Sequence, residues 1–130
     1  HLPVLGVCVG MQMMAIRSEE GVLPGLGWVN ANVTRFEIAH LDKKPLPHMG
    51  WNDVQPNDQN SLFRDIYSPR FYFLHTYCIE TNVEENILST THYGNNFTSS
   101  INAANIFGTQ FHPEKSHHWG VKLLHNFVKL

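Results

Sequence analysis

The first dozen residues constrain this chain most. Leu2 to Val7 is a short unbroken apolar run, the pattern of a strand buried on both faces, and Gly10 to Ile16 after it carries helix-forming Met, Gln and Ala. A strand that leads so directly into a helix must turn sharply at Cys8, between the two glycines of Gly6-Val7-Cys8-Val9-Gly10. That is the form of a nucleophile elbow, in which flanking glycines permit a tight turn that thrusts the central side chain outward. The helix start favours a thiolate and offers donors to an oxyanion, the N–H of Val9 being the nearest. A small buried cysteine between glycines used for close packing gives the same pentapeptide, so a second element must decide.

That element is Gln110-Phe111-His112-Pro113-Glu114-Lys115. Residues at i and i+2 of an extended segment project to one side, and Pro113 fixes the backbone between them. Glu114 can therefore orient His112. A cysteine, a histidine acting as base and a carboxylate holding the imidazole tautomer form the general arrangement for acyl transfer, whatever their order in the chain. Cys8, His112 and Glu114 are accordingly the candidate catalytic residues.

The rest of the chain reads as an α/β domain with more strands than helices. Gly21 to Gly27 is a loop, after which Val29, Ala31 and Val33 alternate with Asn30, Asn32 and Thr34 as in a half-exposed strand. Glu37 to Pro47 is polar. Arg70 to Cys78, Ile87 to Tyr93, Phe97 to Ala103 and Ile106 to Phe111 read as four further strands. A helix begins at His117, with Val121, Leu124 and Val128, flanked by Leu123 and Phe127, as the face expected to pack on the sheet. Helices at both ends of a strand-rich chain suggest three layers and a partly antiparallel, mixed sheet, built as one domain over residues 1–130.

Composition narrows the partners. The 130 residues are 42% hydrophobic with a formal net charge of −2, and Lys43-Lys44 is the sole adjacent basic pair, so no basic stripe exists for nucleic acid. His1 to Val7 is too short to span a bilayer and carries no basic leader, which points to the cytoplasm and no membrane. In that compartment Cys8 and Cys78 stay reduced. The nine histidines raise the question of a metal. Neighbouring His117 and His118 at a helix start point different ways, so no metal site is assigned and no cofactor is implied.

Val4 to Gln12, Pro47-His48-Met49-Gly50-Trp51-Asn52, Phe71-Tyr72-Phe73-Leu74-His75-Thr76-Tyr77 and Gln110 to Ser116 together resemble the class I glutamine amidotransferases, whose fold is flavodoxin-like. Within them the likeness is to the glutaminase subunit of imidazole glycerol phosphate synthase, and it runs essentially from His1 to Leu130. The resemblance implies hydrolysis of L-glutamine through a thioester on Cys8, with ammonia passed to a barrel-shaped cyclase subunit in histidine biosynthesis. It also implies that Val9, Gln12 and Glu20 hold the glutamine and that His75, Thr76 and Tyr77 line the site near its α-carboxylate, Thr76 standing where the family usually has serine. Met49 and Trp51 would face the cyclase, and Lys115 would belong to the ammonia gateway there. The family carries further strands, and a loop with a second oxyanion donor, ahead of this elbow. The chain is thus expected to be an N-terminally truncated domain, weakly active by itself.

Two other readings compete. A paralogous glutaminase feeding a surface-sugar amidotransferase shares the triad, and Gly25 to Ala31 and Phe73 to His75 lean toward that branch. A noncatalytic amidotransferase-like binding subunit is the reading from another class, and an intact triad counts against it.

Overall fold

The computed structural model describes residues 2–130. In chain order the elements are β1 (Val4–Val7), α1 (Val9–Met13), β2 (Arg17–Ser18), β3 (Asn32–Arg35), β4 (His48–Asp53), β5 (Gln55–Pro56), β6 (Arg70–His75), β7 (Tyr77–Glu80), β8 (Ile87–Tyr93), β9 (Asn95–Ala103), β10 (Ile106–Thr109) and α2 (His117–Val128). A one-turn 3-10 helix, Pro113–Lys115, separates β10 from α2.

One mixed sheet organises the molecule. Its order is β1-β10-β9-β7-β3-β2, with β8 pairing both β9 and β5. β9 is shared by three neighbours, so the sheet curls around it, antiparallel to β10, β7 and β8. β1 runs parallel to β10 in register from Val4 opposite Ile106 to Val7 opposite Thr109. Successive residues of a strand point to opposite faces, and β10 shows the consequence. Phe107 joins a core of Phe63, Phe71, Phe73, Phe111 and Leu123, while Ile106 packs on the other face with Met11, Met14, Ala15 and Ile101. α1 belongs to the second core and α2 to the first, which makes three layers. A separate antiparallel ribbon, β4 with β6, lies against the α2 side.

The elements depart from the sequence reading in several places, and the strand expected from Val29 begins only at Asn32. The run from Arg70 to Cys78 is broken at Thr76 into β6 and β7, which join different sheets. β4 pairs along its whole length with β6 although glycine, asparagine and aspartate make it a poor strand by propensity. In α2 the buried residues are Gly120, Leu123 and Asn126, whereas Val121 and Val128 are exposed. The stripe is displaced because its two other members are not apolar side chains. A Cβ on Gly120 would stand 1.7 Å from the Pro113 carbonyl oxygen, so the helix can touch that turn only through a glycine. The Asn126 amide donates to the carbonyls of Leu62 and Arg64 at 3.0 and 2.8 Å, which compensates its burial. Among the described residues no helix is long and apolar enough to cross a membrane.

Candidate active site

Because β1 and β10 are parallel neighbours, the residues next after each strand emerge at the same end of the sheet. Cys8 comes directly after β1, and His112 lies shortly beyond the end of β10. The Cys8 backbone N–H donates to the Thr109 carbonyl at 2.7 Å, extending the ladder to the turn itself. Cys8 then takes φ 54° and ψ −109°, outside the regions a non-glycine residue prefers. This is the elbow that the pentapeptide implied. Gly6 is required there, since a Cβ would meet Gly10 backbone at 2.8 Å and the Met14 methyl at 2.7 Å; Gly10 has open space around it and is not sterically required.

His112 is placed by a different set of bonds. Its N–H donates to the Tyr72 carbonyl of β6 at 2.9 Å, and its carbonyl accepts from the Ser116 hydroxyl at 2.6 Å. The same hydroxyl accepts from the Tyr72 N–H at 3.0 Å, so fully buried Ser116 ties the turn to β6. The Glu114 carboxylate lies 2.8 Å from His112 Nδ1, which leaves Nε2 free for proton transfer. On the other side of the site the Cys8 sulfur approaches the Leu74 carbonyl of β6 at 3.8 Å. His112 and Cys8 are thus held against residues two apart on one strand.

The electrostatics of the two cysteines separate their roles. Burial pushes the Cys8 thiol up from its ordinary value, the Val9 backbone N–H and the Gln110 side chain pull it back, and the Glu114 and Glu20 carboxylates push it up again. The net direction is upward, against the expectation that the helix start alone favours a thiolate; α1 is only five residues long and cannot offset burial. A base must therefore take the thiol proton. Cys78 is pushed by burial up to about 12, out of reach of any such base.

The remaining candidates divide. Val9, Gln12 and Glu20 line one cleft of about 240 Å³ beside the elbow, together with Met13, Arg17 and Leu23. His75, Thr76 and Tyr77 do not line it. His75 is buried, its Nδ1 2.9 Å from the Tyr77 carbonyl and its Nε2 2.9 Å from His48 Nδ1. The Thr76 carbonyl accepts from the Phe36 N–H at 3.2 Å, and Tyr77 reaches the site through its carbonyl, which accepts from the Gln12 amide at 3.1 Å. Met49 and Trp51 are exposed on β4, with Trp51 6.3 Å from the Tyr72 ring and the Lys115 ammonium 5.9 Å above that ring. His117 stacks on Trp51 at 5.3 Å rather than facing the triad. Among the described residues no group of three His, Cys, Asp or Glu side chains is placed to hold a metal ion.

Gln110, Ser116 and His48 stand inside the quoted motifs, yet the sequence reading gave them no role. Gln110 carried a signal all the same, being a polar residue inside the apolar run Ile106 to Phe111, which a buried strand tolerates only when hydrogen-bonded.

Known proteins resemble the chain in sequence and in fold. The chain is 47% identical to the imidazole glycerol phosphate synthase subunit HisH of Leptospira borgpetersenii, over 99% of this chain and 64% of that protein. It is 48% identical to the subunit HisH 2 of Methanococcus maripaludis, over 98% of this chain and 62% of the relative. It therefore spans less than two thirds of the length of these relatives. The crystal structure of a glutamine amidotransferase from Thermotoga maritima superimposes with a TM-score of 0.63 at 19% identity, covering 98% of this chain and 47% of that one. That likeness speaks for the fold. The family model for Glutamine amidotransferase class-I matches residues 1–130, and the chain belongs to that family.

Proposed function

We propose that this chain carries the nucleophile and base of a glutaminase that hydrolyses L-glutamine to glutamate and ammonia and hands the ammonia to a cyclase subunit making imidazole glycerol phosphate. The observation that carries the reading is the strained elbow at Cys8, φ 54°, set beside a strand whose end supplies a His112–Glu114 pair at 2.8 Å. Relatives named as HisH subunits at 47 and 48% identity support the acceptor pathway and the partner, and with them a cytoplasmic heterodimer and a lyase reaction in the whole assembly.

In this mechanism His112 Nε2 takes the Cys8 proton and the thiolate attacks the amide carbon of glutamine. The Val9 N–H faces the oxyanion that forms. Collapse of the tetrahedral species breaks the C–N bond, the leaving nitrogen takes the proton from His112 as ammonia, and a thioester remains on Cys8. Water, losing its proton to His112, then attacks the thioester, and glutamate leaves as the thiol is restored. Glu114 holds the imidazole in the Nδ1–H tautomer and stabilises its cation throughout. Gln12 and Glu20 meet the glutamine in the cleft beside Val9, and His75, Thr76 and Tyr77 act from behind it, at the α-carboxylate end.

The test is ammonia release from glutamine, measured with a barrel-type cyclase present. Cys8→Ala is expected to reduce it to background, and Cys78→Ser to leave it nearly unchanged. Turnover without Cys8, or a glutamine-derived thioester trapped on Cys78, would discard the mechanism.

A further inference from the structure

Gln110 is fully buried, and its side chain lies between the Cys8 sulfur and Gln12, which borders the cleft. Its Nε2 is 3.5 Å from the Cys8 sulfur and its Oε1 is 3.1 Å from Gln12 Nε2. The direction of every bond here follows from one group that can only accept. Gln12 Nε2 is 3.1 Å from the Tyr77 carbonyl, so the Gln12 terminal atom at that position must be the nitrogen. Its second N–H then points to Gln110, which must present its oxygen. The nitrogen of Gln110 is left facing Cys8, and it can only donate. The same carbonyl also takes the His75 Nδ1–H at 2.9 Å, which fills its second lone pair and holds it in place. Any thiol hydrogen on Cys8 is consequently turned away from Gln110, toward the Leu74 carbonyl 3.8 Å off.

We propose that Gln110 is a further catalytic residue, its side-chain amide a permanently oriented donor that receives the Cys8 sulfur as it becomes a thiolate. The proposal rests on Cys8 being the nucleophile of the reaction above. Hydrogen bonds to an ionised acceptor are stronger than those to a neutral one, so this donor favours the attacking form over the resting thiol. Gln12 has a double duty, bordering the cleft with one surface and aiming Gln110 with the other. The acidic side chains acting on Cys8 are Glu114, from the turn after β10, and Glu20, from the loop after β2, and both work against the thiolate. His112 is bonded to Glu114, and β1, α1 and β10 contribute no charge. The Val9 N–H and the Gln110 amide are the two hydrogen-bond donors that oppose the acids.

The measurement is the pH dependence of Cys8 alkylation by iodoacetamide, located by peptide mass spectrometry in the protein without glutamine or partner. Gln110→Met keeps the length and volume of the side chain and removes the donor. Its alkylation midpoint should rise by about one pH unit, with the rate at neutral pH falling about tenfold. Gln12→Met leaves Gln110 in place but unaimed and should shift the midpoint the same way by less. Should Gln110→Met not fold, as judged by its melting transition, Gln12→Met at the edge of the cleft carries the test. A folded variant with an unchanged midpoint overturns the proposal. Neither result depends on turnover, so a failed glutaminase assay and a failed role for Gln110 are told apart.

Discussion

At the scale of the residue, two histidines that no catalytic motif required set a pH limit on the fold. His75 donates from Nδ1 to the Tyr77 carbonyl, so its Nε2 must accept, from His48 Nδ1; His48 Nε2 in turn lies 3.1 Å from the Asn52 amide. Every ring nitrogen is used, and the pattern closes only with both rings neutral. Burial depresses both, His48 to about 3 and His75 to about 4. An unfolded chain would take up protons at about 6.5, whereas these rings in the folded state do not, so protonation favours unfolding. Stability from the pair is complete above about pH 6.5 and is lost as pH falls toward about 4. Melting temperature followed between about pH 7 and pH 5 should fall with a slope near two protons, and His48→Gln should halve that slope. A flat profile over that interval would show that the rings charge freely in the fold. None of this was legible in the sequence, since the partners of His75 come from β4 across the ribbon and from the first residue of β7. The His112–Glu114 pair and the turn at Cys8 were legible for the opposite reason: the pair is two residues apart, and the turn follows Gly6, the glycine it requires.

At the scale of the element, sequence patterning delivers the strand built from β-branched and aromatic residues. Ile87–Tyr93 is observed with the limits that its composition suggests, and α2 starts at His117 as its periodicity requires. The patterning fails where packing is made by residues that carry no hydrophobic signal. Gly120 and Asn126 on α2 are of that kind, and Gly50 and Asn52 in β4 belong to a strand that exists because β6 lies beside it. Gly120 has a consequence for the site, because the helix presses there on Pro113, between His112 and Glu114. Gly120→Ala should force α2 away from the turn, costing about 1 to 3 kcal/mol as an overpacked contact and lowering turnover with it. Gly10→Ala is the matched control, since nothing lies within 4 Å of its Cβ and alanine suits a helix better. Comparing the two melting temperatures decides the point. Equal values would mean that the contact between α2 and Pro113 yields without cost.

At the scale of the whole molecule, the β4–β6 ribbon joins the nucleophile to a surface. Met49 pairs with Leu74 and Trp51 with Tyr72, so the four side chains share the outer face of the ribbon. Met49 is 64% exposed, Leu74 39% and Trp51 37%, a contiguous apolar area of the kind that soluble proteins keep for partners. Charge rims it, with Lys115 over Tyr72 and the Asp53–Arg70 pair at 3.2 Å across the neighbouring positions. An apolar centre with an aromatic anchor and a polar edge is the anatomy of an interface, and Trp51, stacked with His117, is already fixed in position before any partner arrives. The backbone of the same ribbon touches the reaction, since the Leu74 carbonyl faces the Cys8 sulfur at 3.8 Å. Under the proposed function, ammonia formed at Cys8 would have only the thickness of one strand between it and this face. If the cyclase barrel docks here, Met49→Asp should weaken its binding by about tenfold or more, because a charge is left desolvated at the centre of the contact. Arg70→Ala at the rim should cost much less. Titration calorimetry with the barrel protein measures both affinities, and iodoacetamide alkylation of Cys8 in the free variants checks that the site itself is intact. Undiminished affinity in Met49→Asp would place the barrel on another face and remove the short route for ammonia.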